Sequence, residues 1–351
     1  MCTAGPLLAA AFAWFGGGAA EPPSRTFAYV AGAQGINAHA FETSTGRLTP
    51  IGFQPHRALR VSGSTPRIAV HPSGRSLYCT SGTAGGGRGD PGVLSVYAIA
   101  PDGRLVDVES FPGRLGLVLL MHPFGRSLYV LGSGLLRYSV DPDTGRLGLP
   151  GDTVPPFFSS VGAAMDPRGE FLWIRERTYR FDASGSSPSA VGNAGGPGVA
   201  MLAVDGRGER VFAGREVLQQ APQGVAPPGE LLSFAVDRRT GALTPLDRAP
   251  TRQRMAEVAP AGPFLYVASG NDVSAWEVDH RTGALSAIGD RVATVSDLYD
   301  GQKLAVDPSH RFLFVVHQKS IVQYEIDGAT GLLSARGIVD QGDTITFVQV
   351  R

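Results

Sequence analysis

The sequence predicts an all-β fold in which a four-stranded antiparallel sheet is repeated around a ring. Three observations predict it. Apolar and polar residues alternate in short runs, two kinds of turn recur along the chain, and the recurrence has the length of one such sheet. No long segment has the 3.6-residue periodicity of a helix. We therefore expect short strands joined by tight turns.

The clearest copy of the repeat runs over residues 304–334. Its segments LAV, FLFVV and IVQYEI alternate as strands do, because successive side chains of a strand point to opposite faces. Asp307-Pro308-Ser309 follows the first strand, and Thr330-Gly331 follows the third. Proline and glycine at these positions allow the chain to reverse. We call the two reversals the first turn and the third turn of a repeat.

Both turns can be followed through the chain. The first turn recurs at 71–74, 122–125, 166–169, 205–208, 260–262 and 307–308. The third turn recurs at Gly46, Gly103, Gly145, Gly185, Gly241, Gly283 and Gly331. These seven copies are spaced by 42 residues from Gly103 to Gly145 and from Gly241 to Gly283. A spacing of this length is typical of the blades of a β-propeller.

The two ends of the repeating region are expected to share one blade. Residues 27–31 resemble the second strand of a blade, and no first strand precedes them. Residues 344–350 follow the last third turn and have the pattern of a strand. Pairing the two leaves no open sheet edge. We predict one seven-bladed domain over 27–351, in which 27–53 and 344–350 form blade one.

Residues 1–26 are expected to lie outside the ring. Residues 1–20 carry no charge, and an apolar run over 6–15 is followed by small residues up to Ala20, where a signal peptidase could cleave. The run is too short to span a bilayer. We therefore predict an exported protein, periplasmic or secreted, without an integral membrane segment in the mature chain. A misplaced start codon or a disordered tail is the alternative, because no positive charge precedes the run.

Composition limits the classes of function. Basic and acidic residues balance at 31 each, whereas a nucleic-acid surface needs a basic excess. Cys2 would leave with the leader, so Cys79 has no disulfide partner and is expected to be a small core residue. No cysteine, histidine or carboxylate cluster has metal-ligand spacing. We expect a monomer that uses no metal, cofactor or nucleic acid.

Loop lengths predict which face of the ring carries the function. In a four-stranded meander the first and third turns lie on one face, and the second turns and the crossovers between blades lie on the other. The first and third turns are tight, whereas the second turns of blades two and five have insertions at 81–92 and 215–229. Loops on a rigid scaffold commonly form binding sites. We place the site at the channel opening on this second face, the loop face.

Cations are expected around that opening. Arg67 and Lys303 lie where the innermost strands of their blades begin, and Arg254 lies one residue before the equivalent position. Cations that converge from different blades attract a carboxylate or phosphate, which arginine can bind through two hydrogen bonds. Solvated charges without a ligand are the alternative.

Three segments carry a family resemblance: HPSGRSLYC, AEVAPAGPFLYVAS with Glu257, and AVDPSHRFLFVVHQKSIVQYEID followed by Thr-Gly-x-Leu. They resemble the seven-bladed lactonase family, which includes the bacterial 6-phosphogluconolactonases and the fungal muconate cycloisomerases. The resemblance covers about residues 27 to 350. It implies a propeller that acts on a small anionic molecule, as a lactonase-type hydrolase or a lactonising cycloisomerase.

The resemblance also implies an acid in blade five. The family glutamate corresponds to Glu216, eleven residues after Asp205. The family's Gly-Pro-Arg-His segment is GGPGVAM here, small residues near Gly162 replace a histidine, and the family's Asn-Arg-Gly is 269–271, Ser-Gly-Asn. The sequence therefore retains the acid without its cationic and imidazole partners.

Two hypotheses follow. Opening a lactone needs an activated water and stabilisation of the charge that forms on the carbonyl oxygen. Glu216 is the predicted catalytic base. The predicted substrate-binding residues are Arg67, Arg254, Lys303, Arg215, Glu257 and His317. The alternative is a catalytically inactive exported propeller that serves as a platform for a ligand or a protein partner.

Overall fold

The computed structural model describes residues 25–56, 66–82, 91–114, 118–131, 134–154, 163–193, 199–216, 229–251, 255–269, 272–293, 304–317 and 320–350. These residues form 28 strands in seven four-stranded antiparallel sheets, which confirms the predicted propeller. None of the described segments is a helix long and apolar enough to cross a membrane.

Each blade is a meander from the axis outwards. The strands of blades one to four are, in that order, β28 (Thr344–Val350), β1 (Arg25–Ala31), β2 (Gly35–Glu42) and β3 (Arg47–Pro55); β4 (Arg67–Val70), β5 (Ser76–Gly82), β6 (Pro91–Ile99) and β7 (Leu105–Arg114); β8 (Val118–Met121), β9 (Ser127–Leu131), β10 (Leu135–Val140) and β11 (Leu147–Val154); and β12 (Ala163–Met165), β13 (Phe171–Ile174), β14 (Arg177–Phe181) and β15 (Pro188–Asn193).

The remaining three blades repeat this order. Their strands are β16 (Val199–Val204), β17 (Arg210–Glu216), β18 (Gly229–Val236) and β19 (Leu243–Thr251); β20 (Met255–Ala261), β21 (Phe264–Ser269), β22 (Asp272–Val278) and β23 (Leu285–Ala293); and β24 (Leu304–Val306), β25 (Phe312–His317), β26 (Ser320–Ile326) and β27 (Leu333–Gln341). First strands of neighbouring blades contact one another, as β4 contacts β8 and β28, and β20 contacts β16 and β24. These strands therefore surround the central channel.

The last strand closes the ring. β28 pairs antiparallel with β1 along its whole length, from Thr344 opposite Ala31 to Val350 opposite Arg25. The amide of Asp343 also donates a hydrogen bond to the carbonyl of Ala31, at 2.7 Å. Blade one is therefore shared between the two ends of the repeating region, as predicted.

The core lies between the blades. The described residues contain seven apolar clusters, one at each interface between neighbouring blades. β1 shows how one strand serves two clusters: Phe27, Tyr29 and Ala31 pack against blade two, whereas Ala28 and Val30 pack against blade seven. Both faces of the second strands are thus buried, so these strands are apolar over most of their length rather than alternating.

The third turns link each blade to the one before it. Their glycines all have positive φ, between 66° and 84°, a backbone conformation that other residues rarely adopt. Each glycine carbonyl accepts a side-chain hydrogen bond of 2.7 to 3.0 Å from the preceding blade. The pairs are Tyr29 to Gly103, Tyr78 to Gly145, Tyr129 to Gly185, Trp173 to Gly241, Ser233 to Gly283, Tyr266 to Gly331 and Gln323 to Gly46.

Blades five and seven supply this donor from a different strand. Their second strands carry Phe212 and Phe314, which have no polar group, where the other blades carry tyrosine or tryptophan. The residues directly opposite on the third strand are Ser233 and Gln323, and these donate instead. The hydrogen bond is therefore preserved at every interface, including the one between blade seven and blade one.

The first turns also join neighbouring blades. His71 and His122 are buried there, and each donates from Nε2 to a first-turn glycine carbonyl of the next blade, at 2.9 Å to Gly125 and 3.1 Å to Gly169. Because a carbonyl only accepts, Nε2 carries the proton in both rings. Each Nδ1 accepts from a backbone amide of its own turn. These histidines are structural.

Blade six differs from the predicted turn at 260–262. β20 continues to Ala261, which lies opposite Phe264, so the turn consists only of Gly262 and Pro263. Gly262 has a φ of 60°, which permits this shorter hairpin. The sequence prediction placed the turn too early because it aligned Pro260 with the turn prolines of other blades.

Candidate functional site

The channel opening on the loop face is surrounded by the starts of the innermost strands. β4 begins at Arg67, which is the predicted position, and β8 and β20 begin at Val118 and Met255. β24 begins at Leu304, immediately after Lys303. Because the first strand of each blade runs from the loop face towards the first turn, side chains at these positions lie around the mouth.

Arg67 and Glu257 occupy opposite sides of this mouth. Arg67 starts the inner strand of blade two, and Glu257 lies on the inner strand of blade six, three blades away by the shorter path. Both residues are partly exposed. Burial lowers the pKa of Arg67, and the charges of Glu257 and Asp343 act in the opposite direction. The guanidinium therefore lies within electrostatic reach of two carboxyl groups.

The backbone of blade six positions the Glu257 carboxyl. The register of β20 and β21 shifts between Met255 and Glu257, a bulge that changes the direction of the side chains. Glu257 Oε2 accepts a hydrogen bond from the amide of Leu304, at 2.8 Å. That amide belongs to the first residue of β24, so the carboxyl spans the gap between the inner strands of blades six and seven.

Glu257 is unusually basic for a glutamate. Burial raises its pKa from the ordinary 4.5 to about 8, and this outweighs the lowering effects of the Leu304 amide and the Arg67 charge. A carboxyl with such a pKa is largely neutral at pH 7 and can donate a hydrogen bond, which a carboxylate cannot. The mouth thus combines a cation that can hold an anion with an acid that can transfer a proton.

Arg215 has a fixed partner in blade five. It lies on β17 directly opposite Glu230 on β18, and its Nε lies 3.0 Å from Glu230 Oε2. A second contact joins its guanidinium to the same oxygen, and both side chains are partly buried. The sequence did not predict this pair, because the insertion between the two strands concealed their register.

Other predicted site residues are located only in part. Glu216 is the last residue of β17, opposite Gly229, and His317 is the last residue of β25, opposite Ser320. Both therefore lie at the loop-face ends of second strands, and their side chains lie outside the described part of the structure. Arg254 and Lys303 lie outside the described residues altogether. Their roles remain predictions.

Asp343 is a residue of the mouth that the sequence analysis missed. It directly precedes β28, the inner strand of blade one, and its charge acts on Arg67. Lys303 has the same relation to β24 in blade seven. The sequence therefore has the same pattern in blade one, a charged residue directly before the inner strand. It was missed because this inner strand comes from the end of the chain and no first turn of blade one was aligned with the others.

A second polar cluster lies at the interface between blades seven and one. Asp340, near the end of the outermost strand β27, contacts His39 Nε2 at 2.8 Å and accepts two hydrogen bonds of 3.2 Å from Asn37. Burial raises the pKa of Asp340, but these hydrogen bonds and one from the Gln341 amide outweigh it, so the pKa is lowered overall. The cluster lies on outer strands, away from the channel, and the sequence gave no motif for it.

Within the described ranges, no three or more histidine, cysteine, aspartate or glutamate side chains lie close enough together to hold a metal ion.

Similar solved structures share this architecture. A candidate 6-phosphogluconolactonase from Bacteroides fragilis is similar with a TM-score of 0.72 and 16% identity, over 93% of this chain and 98% of that protein. The periplasmic gluconolactonase of Pseudomonas aeruginosa is similar with a TM-score of 0.69 and 20% identity, over 93% of this chain and 100% of that protein. No protein-family model and no curated protein matches the sequence. The chain therefore has the seven-bladed fold of these proteins, which is the fold that the family resemblance implied.

Proposed function

We propose that the protein binds a small anionic sugar acid or its lactone at the loop-face opening of the channel and hydrolyses the lactone. The main support is the arrangement of Arg67 and Glu257 on opposite sides of that opening. The gluconolactonase among the proteins of similar fold adds support for the ligand class. Its periplasmic location agrees with the proposed export of this chain.

The proposed reaction uses groups from several blades. Glu216 accepts a proton from a water molecule as that water attacks the lactone carbonyl carbon. It returns the proton to the ring oxygen as the ring carbon–oxygen bond breaks, which gives the hydroxy acid. Arg67, with Arg254 and Lys303, holds the negative charge of the ligand or of the carbonyl oxygen. A lactonising cycloisomerase would instead form the ring by adding a carboxylate oxygen to a carbon–carbon double bond, with an acid of the mouth giving a proton to the other alkene carbon.

A panel of lactones tests the proposal. The panel contains glucono-δ-lactone, 6-phosphogluconolactone and muconolactone, with acid release followed in a pH-stat. Glu216→Ala should lower kcat/KM by about 10² or more, as expected for loss of a general base. Arg67→Ala should mainly raise KM. Glu277→Ala, which changes an exposed glutamate on β22, is the matched control and should leave the rate unchanged.

Binding without turnover is the second candidate. The replacement of the family's Gly-Pro-Arg-His segment by GGPGVAM favours it, because that replacement removes two groups that would assist ring opening. In that case calorimetry would detect gluconate binding that Arg67→Ala weakens, while the wild-type protein would hydrolyse none of the lactones. A rate that Glu216→Ala leaves unchanged would remove Glu216 from the mechanism.

A further inference from the structure

The proposed reaction assigns no step to one partly exposed acid of the mouth. Glu257 lies on β20, between β16 and β24, and neither of these strands carries a titratable side chain. The Leu304 amide is its hydrogen-bond partner in blade seven. Across the channel, the charged groups in the described residues are Arg67 on β4 and Asp343 before β28. Blade five also contacts β20 through β17 and β18, which carry Arg215, Glu216 and Glu230. Among the described residues, Arg67 is the charged group that acts on the Glu257 carboxyl.

The Leu304 hydrogen bond determines where a proton on Glu257 resides. Oε2 accepts from the amide, and in a neutral carboxylic acid the carbonyl oxygen is the better acceptor. The hydroxyl is then on Oε1. The bond to Leu304 fixes the plane of the carboxyl group, so the Oε1 hydroxyl keeps one direction relative to the inner strands.

The charge balance at the mouth favours that neutral form when an anion binds. If Glu257 is ionised, Arg67 faces two carboxylates, Glu257 and Asp343, and both compete with a ligand carboxylate for the guanidinium. If Glu257 is neutral, only one of these two competing charges remains. Burial raises the pKa of Glu257 to about 8, so the neutral form already predominates near pH 7.

We infer that Glu257 binds the anionic ligand as a neutral carboxylic acid. Its Oε1 hydroxyl donates a hydrogen bond to one oxygen of the ligand carboxylate, and the Arg67 guanidinium binds the same carboxylate from the opposite side of the channel. This inference rests on the proposed function for its ligand class, a sugar acid. It makes binding coupled to a proton: above the pKa of Glu257, each ligand that binds takes up one proton.

The test is calorimetric titration of the full chain with sodium gluconate from pH 6.5 to 9.5. Wild-type Kd should be nearly constant below pH 8 and rise about tenfold per pH unit above it, as expected for uptake of one proton. Glu257→Gln keeps the size of the side chain and a hydrogen-bond donor but cannot ionise. The Kd of this variant should therefore vary by less than about twofold across the pH range. Glu277→Gln, which changes an exposed residue of the same blade, should follow the wild type.

A measurement on the wild type alone tests the inference even if the variant does not fold. At pH 9, binding in two buffers of different ionisation enthalpy should show uptake of about one proton. Wild-type binding with a constant Kd and no proton uptake would overturn the inference and leave the proposed ligand site intact. Absence of gluconate binding at every pH would overturn the proposed ligand class itself.

Discussion

At the scale of single residues, burial determines the chemistry of two titratable groups, Cys79 and Glu257. Cys79 is fully buried, and burial raises the pKa of its thiol to about 12. Glu257 is shifted in the same direction, because in both groups the charged form loses its hydration. The two differ in position, since Cys79 lies in the apolar cluster between blades one and two, whereas Glu257 lies at the channel.

Cys79 should therefore be unreactive in the native protein. Thiolates, rather than thiols, attack disulfide reagents, and the raised pKa leaves almost no thiolate at pH 8. A Cys2→Ser variant treated with Ellman's reagent should show no reactive thiol when native and one thiol in 6 M guanidinium chloride. Stoichiometric labelling of the native variant would contradict the burial of Cys79.

Glu257→Gln should change how stability depends on pH. The folded pKa of about 8 exceeds the ordinary 4.5, so the stabilising effect of the neutral acid is complete below pH 4.5 and is lost as the pH rises to 8. Between pH 4.5 and 8 the free energy of unfolding of the wild type should fall by about 2 to 4 kcal/mol relative to that of the variant, because glutamine does not ionise. Urea unfolding at pH 5, 6.5 and 8 measures it. If Glu277→Gln showed the same change relative to the wild type, the raised pKa of Glu257 would not be the cause.

At the scale of the element, the third turn is the feature that fixes one blade to the next. Its glycine supplies both the positive φ that the reversal needs and a carbonyl aimed at the preceding blade. The position of these turns was predictable because glycine there has a local cause. The donors were not all predictable, since Ser233 and Gln323 act through strand register rather than through a motif.

Tyr78→Phe tests this link. It removes the donor to the Gly145 carbonyl and leaves a buried acceptor unpaired, which should lower the free energy of unfolding by about 1 to 3 kcal/mol. Tyr138→Phe is the matched control, because Tyr138 belongs to the same apolar cluster and the described residues provide no hydrogen bond to its hydroxyl. Urea titrations of both variants measure the difference. Equal losses would mean that packing, rather than the hydrogen bond, is responsible.

At the scale of the whole molecule, the ring depends on one non-covalent closure. The seven copies of the repeat predicted the number of blades and the sharing of blade one, because strand periodicity and turn residues are local signals. The site was less predictable, since it forms where blades far apart in sequence meet. Asp343 acts on Arg67 in the next blade, and Asp340 contacts His39 from the opposite end of the repeating region. The sequence pattern that marks Asp343 as a mouth residue does not identify its partner, and no pattern identifies the His39–Asp340 contact.

Acid should weaken the contact between blades seven and one. The folded pKa of Asp340 lies below its ordinary 3.8, so its contribution to stability is present above that value and is lost as the pH falls through the folded pKa. Asp340→Asn should be less stable than the wild type at pH 6, and the difference should shrink as the pH falls from 5 towards 2.5. Melting temperatures across this range measure it. Asp143→Asn, at an exposed turn, should show no such convergence.

The closure also means that the two ends of the folded domain lie side by side. Arg25 and Val350 are directly paired across β1 and β28, so a short peptide could join them without disturbing the sheet. The chain could then begin in any blade and still form the same ring. A circularly permuted gene opened at the exposed third turn of another blade should encode the same ring, with its weakest point moved to the new opening.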